Sequence, residues 1–117
     1  RSYDLQETLY ENYAAQDGYE AANRYSAKPG QSEHQTGLAM DIVDDRGWAG
    51  KDSLNERASG QWLRQHAREY GWIMRYPQGK ESETGYRYEP WHYRYVGVEA
   101  ATYIEANSLT LEAYLGE

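Results

Sequence analysis

Apolar and polar positions along the chain divide it into helices at both ends and a small sheet between them. Leu5, Leu9 and Tyr13 recur at four-residue spacing with Tyr10 and Ala14 alongside, which predicts a helix from Tyr3 to about Gln16. Asp4 sits near its start, where the helix dipole favours a negative charge. Asp17-Gly18 breaks this pattern, and Tyr19 to Tyr25 reads as a second, short helix. Ser26 to Thr36, with Pro29-Gly30 and small or polar residues, reads as a loop, and Gly37 to Val43 alternates as a strand carrying Asp41. Asp44 to Asp52 is rich in turn formers, with Asp44 and Asp45 expected in a solvated turn. A helix follows from Leu54 or Ala58 to Tyr70. Trp62, Leu63, His66, Ala67 and Tyr70 lie on one face, His66 reads as structural, and Gly71 is the stop.

Trp72 to Tyr76 reads as a short strand, and Pro77 to Tyr88 as a polar excursion long enough to act as a flap. Trp91 to Val96 alternates as a strand with His92 and Arg94 on one face, and Val98 to Asn107 and Leu109 to Leu115 read as closing helices. No internal repeat is present. The expected class is α+β: helices, then a small sheet, then helices.

At 117 residues the chain is expected to form a single domain. Its aromatic bulk is 13 tyrosines and 4 tryptophans with no phenylalanine, so almost every ring carries a polar tip. Such rings suit the walls of a cleft that takes a polar ligand. The net charge of −7 offers phosphates no basic stripe and argues against nucleic acid as a partner. No run is long enough for a transmembrane segment, and the first residues do not look like a signal peptide. The abrupt start at Arg1 is compatible with a leader or anchor having been removed. With no cysteine, any metal must be held by nitrogen and oxygen.

Two motifs carry candidate chemistry. His34 precedes Asp41 by seven residues with Gly37 between, a spacing that a loop entering a strand can close. Glu89-Pro90-Trp91-His92 supplies a second histidine and a second carboxylate. Taken singly, each histidine reads as an ordinary surface or core residue. Together, His34, Asp41 and His92 meet the needs of a catalytic zinc with an open position, and Glu89 is placed to move a proton. The same two-histidine, one-carboxylate set also suits a non-haem iron oxygenase. That class needs a larger barrel and gives Glu89 no task, so hydrolysis is the preferred reading.

Five separated motifs in order carry a resemblance that spans essentially the whole chain. They are Arg1-Ser2-Tyr3-Asp4-x-Gln6, Ser26-Ala27-x-Pro29-Gly30, Ser32-x-His34-x-x-Gly37-x-Ala39-x-Asp41, Arg75-Tyr76-Pro77-x-Gly79-Lys80, and Glu89-Pro90-Trp91-His92-x-Arg94-Tyr95-Val96. The sequence resembles the zinc carboxypeptidases of the VanY and LdcB type. The resemblance implies a small antiparallel sheet cradling zinc and flanked by helices, the fold shared with D-Ala-D-Ala dipeptidases and the Hedgehog signalling domain. It implies one Zn2+ per chain on His34, Asp41 and His92, and Glu89 as general base and acid. It further implies that Arg1 polarises the scissile carbonyl or holds the substrate, that Gln6 and Ser32 bond the peptide terminus, and that Trp91 walls the pocket. The flap, with Thr84-Gly85-Tyr86 closer to the LdcB pattern, is expected to bring Tyr86 to the substrate.

The implied partner is the peptidoglycan stem peptide, trimmed of its terminal D-alanine in an extracytoplasmic, wall-associated setting. The flap leans towards L,D-cleavage of tetrapeptides. D,D-cleavage of pentapeptides, endopeptidase action on cross-links and a non-catalytic zinc-containing binding module are the alternatives. Relatives usually extend N-terminal of the motif containing Arg1, so the chain resembles a trimmed core.

Overall fold

The computed structural model describes residues 2–18 and 32–116. Two compact units divide the chain, Arg1–Ala39 and Met40–Glu117. The helix expected over Tyr19 to Tyr25 and the first part of the loop expected after it lie outside the described residues.

In the first unit, α1 (Tyr3–Asp17) starts where the Ser2 hydroxyl accepts a hydrogen bond from the Leu5 amide at 3.1 Å, a standard N-cap. Its buried row is Gln6, Tyr10 and Ala14, one position on from the predicted Leu5, Leu9 and Tyr13 stripe, and Leu5 is exposed. The apolar pattern misses this row because its first member is an amide that is only 1% exposed. The loop predicted up to Thr36 instead ends in a single 3₁₀ turn, η1 (Glu33–Thr36). The Ser32 hydroxyl caps it by accepting from the His34 amide at 3.3 Å. Gly37 leaves the turn at φ 77°, a left-handed conformation that any side chain would strain.

The sheet has three strands in the order β1-β3-β2: β1 (Ala39–Asp41), β2 (Trp72–Met74) and β3 (His92–Tyr95). β2 and β3 are antiparallel, with Trp72 opposite Tyr95, Ile73 opposite Arg94 and Met74 opposite Tyr93. Each strand is shorter than its apolar run. Beyond Met74 the chain turns into Pro77, which has no amide to give a ladder.

Between β1 and β2 lies the largest departure from expectation. Most of the predicted loop is a 3₁₀ helix, η2 (Gly47–Glu56), which runs on into α2 (Ala58–His66) and η3 (Ala67–Tyr70). The expected turn forms, with the Gly47 amide donating to the Asp44 carbonyl at 2.9 Å and Asp45 exposed, but the Asp44 carboxylate is paired and not solvated. It accepts both arms of Arg57, at 2.5 and 3.0 Å, and the Ser59 hydroxyl at 3.0 Å. The guanidinium holds the Asp44 carboxyl well below the usual carboxylate range. Arg57 also donates to the Gly50 carbonyl at 2.8 Å and the Ser53 hydroxyl at 2.7 Å, so one side chain braces η2 from inside. On α2 and η3 the inward residues are Leu63 and Ala67, while Trp62 and Tyr70 face solvent. His66 stacks on Trp62, with ring centroids 4.7 Å apart, and its Nδ1 lies 2.9 Å from Glu69.

The flap contains a short helix, α3 (Glu81–Thr84), followed after β3 by α4 (Val98–Ala106) and α5 (Leu111–Leu115). Thr110 caps α5 by accepting from the Ala113 amide and donates its own proton to Glu83, tying α3 to the closing helix. Ile73, Ala101, Ile104 and Leu111 form one core cluster behind the sheet; Ala67, Met74 and Tyr93 form a second.

Candidate metal centre

Strand order brings the two sequence motifs together. Asp41 ends β1 and His92 opens the neighbouring β3, and the Ile42 amide donates to the Trp91 carbonyl at 2.8 Å. With the register fixed there, Asp41 Oδ1 comes within 3.4 Å of His92 Nδ1. Asp41 and His92 each offer one ligand atom in the second unit, and His34 in the first unit offers the third of the candidate set. Two imidazoles and a carboxylate, two of them half-buried and His92 buried, form the nitrogen–oxygen donor set that zinc takes in sites with an open position. The residues therefore fit the metal.

Glu89 is placed by backbone. Its amide donates to the Tyr76 carbonyl at 3.0 Å, its carbonyl accepts from the His92 amide at 3.2 Å, and Pro90 between them is fully buried. The Glu89 carboxylate lies 3.7 Å from His92 Nδ1 and is 5% exposed as a residue. Burial, with the Asp41 charge adding to it, pushes its pKa up to about 7 against the opposing pull of His92, Arg87 and Lys51. A carboxyl poised near neutrality both accepts and returns a proton at ordinary pH.

Rings surround this group. Tyr86 from the flap stacks on Tyr76 at 4.6 Å, and Tyr76 packs on the His92 imidazole at 4.8 Å. Trp91 is buried beneath, meeting Trp48 edge-on at 5.9 Å. Side chains at i and i+3 of a 3₁₀ helix eclipse, so Trp48 and Lys51 of η2 line up. The Lys51 ammonium sits 4.9 Å from the Trp48 ring and 5.0 Å from the Trp91 ring.

Of the other residues singled out in the sequence, Gln6 is buried in α1 and Ser32 caps η1. Arg1 lies outside the described residues. Tyr76, Trp48 and Lys51 went unnoticed in the sequence reading as site neighbours. Tyr76 stood inside a quoted motif, but Trp48 and Lys51 fell in a stretch taken for a loop, where i, i+3 spacing carried no meaning.

The profile of the VanY family, D-alanyl-D-alanine carboxypeptidase, matches residues 1–98. The chain is 48% identical over 115 residues to YodJ of Bacillus subtilis, covering 97% of this chain and 42% of that protein. It thus spans less than half the length of that relative. Among solved structures it is similar to the LdcB LD-carboxypeptidase, studied for peptidoglycan recognition, at TM-score 0.88 and 46% identity over 99% of this chain and 55% of that one. It is also similar to a vancomycin-resistance D,D-pentapeptidase VanY in complex with Zn(II), at TM-score 0.83 and 39% identity over 98% of this chain and 67% of that one.

Proposed function

Because the chain belongs to the VanY D-alanyl-D-alanine carboxypeptidase family, we propose that residues 1–117 act as one zinc-dependent peptidase domain that removes terminal D-alanine from peptidoglycan stem peptides. The observation that carries this reading is the buried Glu89 carboxyl, raised to about 7 and set 3.7 Å from a histidine of the donor set. A structural zinc site needs no such group.

His34, Asp41 and His92 hold the ion, one per chain. Zinc, when bound there, supplies a Lewis acid and a water of lowered pKa. Glu89 takes a proton on a carboxylate oxygen as the peptide carbonyl is attacked and returns it to the nitrogen of the departing D-alanine. The Tyr86–Tyr76 stack shields His92 and keeps its ring oriented. Arg1 supplies fixed positive charge to the developing oxyanion, Gln6 and Ser32 bond the peptide terminus, and Tyr86 and Trp91 line the pocket.

Within this chemistry the reading leans to L,D-cleavage of tetrapeptides, supported by higher identity to the LdcB LD-carboxypeptidase than to the D,D-pentapeptidase, 46% against 39%. The substrate places the reaction outside the cytoplasm, at the cell wall. No helix among the described residues is long and apolar enough to cross a membrane.

The test is D-alanine release from synthetic tetra- and pentapeptides by the zinc-loaded chain and its Glu89→Gln variant. The variant is expected to keep one zinc per chain while turnover falls about a thousandfold. Undiminished turnover would remove Glu89 from the mechanism. Zinc binding with no release from either peptide would leave a binding module.

A further inference from the structure

Lys51 is held in a way that its ion pair does not explain. Its partner, Asp52 at 3.3 Å, is a 64% exposed carboxylate, and a pairing of that kind contributes little. The ammonium is fixed instead by two indoles, each about 5 Å away, and its side chain is only 19% exposed. One of those indoles, Trp91, directly precedes His92, and the other, Trp48, stands half in solvent. Lys51 is also close enough to the reacting carboxyl for its charge to act on Glu89.

An immobilised cation beside an acidic centre, on a chain of net charge −7, offers an anionic peptide a local foothold against the overall charge. An ammonium has three donors, and a ring pair fixes its position without consuming them. Aromatic flanks keep its surroundings drier than open surface, which strengthens a charged hydrogen bond.

We propose that Lys51, clamped between Trp48 and Trp91, receives a carboxylate of the peptide substrate and so makes the enzyme discriminate between free and amidated forms of that peptide. This rests on the peptidase reading above. Two carboxylates have the required chemistry: the free terminus of the peptide, and an internal one carried by an acidic residue upstream of the scissile bond.

Three synthetic tetrapeptides separate them: one with both groups free, one amidated internally and one amidated at the terminus. Affinities are read by calorimetry on the zinc-loaded Glu89→Gln protein, and kcat/KM on the active enzyme. Lys51→Met keeps the stem between the indoles and removes the charge. It is expected to weaken binding of the fully free peptide about tenfold while narrowing the gap to one amidated form, and that form identifies the carboxylate. Lys51→Arg, which also stacks on indoles, should restore most of the preference. Arg87→Gln removes another cation acting on Glu89 and should leave the preference in place.

The proposal is overturned if Lys51→Met weakens all three peptides equally, if none of them binds, or if Arg87→Gln alone abolishes the preference. Absence of cleavage with the calorimetric preference intact counts against the peptidase reading and leaves the carboxylate cradle standing.

Discussion

Glu89 shows what a buried carboxyl costs the fold. The motif Glu-x-x-His announces a carboxylate near a histidine, but not that backbone bonds to Tyr76 and His92 hold it out of water. Its carboxyl rises from 4.5 to about 7, so the folded chain binds that proton more tightly than the unfolded one. The stability it contributes is therefore fully present below pH 4.5 and is lost as pH rises through about 7. In the metal-free protein the loss amounts to about 3 kcal/mol, since each pKa unit corresponds to about 1.4 kcal/mol. Glu89→Gln, neutral at every pH, should escape it. Urea denaturation in the presence of chelator, at pH 5 and pH 8, is expected to show the two proteins diverging towards pH 8 with the variant the more stable. Every other residue is common to the two proteins, so the difference between them reports on Glu89. Parallel pH dependence would mean that the buried carboxyl is not strained in this way.

At the scale of elements, the sequence was most legible where local rules act alone and least where a distant residue decides. α1 falls where its spacing and stop signal put it, and α2 starts where expected and continues as η3 to the glycine stop, because a helical repeat and a glycine terminator are local. η2 was read as a loop because its brace comes from tertiary structure: Arg57 reaches back thirteen residues to Asp44. Arg57→Lys would keep the charge but lose the fork that serves Asp44, Gly50 and Ser53 at once. Amide hydrogen exchange should then accelerate across η2 and leave α4 protected. Uniform protection in the variant would show that the brace is dispensable. The packing of η2 on α2 is tighter still, since a Cβ on Gly60 would stand 2.0 Å from the Leu54 carbonyl oxygen, a backbone atom. Gly60→Ala is therefore expected to destabilise by about 3 kcal/mol, as overpacking that forces a backbone shift does. Thermal melts would register this, and an unshifted midpoint would mean that the two elements can part without cost.

Over the whole molecule, the joining of the two motifs depends on a non-local pairing. Residue spacing alone offers no reason for β3 to lie between β1 and β2, and the family resemblance implied a small antiparallel sheet without its strand order. The consequence is that Asp41 meets His92 only once the sheet has formed, so the pair belongs to the native chain and not to the unfolded one. A metal that binds the native arrangement and not the unfolded chain must stabilise the former by mass action, by about 4 kcal/mol at a thousandfold excess of free ion over Kd. Thermal unfolding with zinc and with chelator should therefore differ by many degrees in the wild type. The difference should vanish in Asp41→Asn, His92→Ala and His34→Ala, the three proposed ligands. It should persist in Glu89→Gln, which lies beside the donor set and outside it. A zinc-dependent shift that survives all three ligand variants would place the ion elsewhere, and one that disappears with Glu89→Gln would make that carboxylate a ligand in place of a proton carrier.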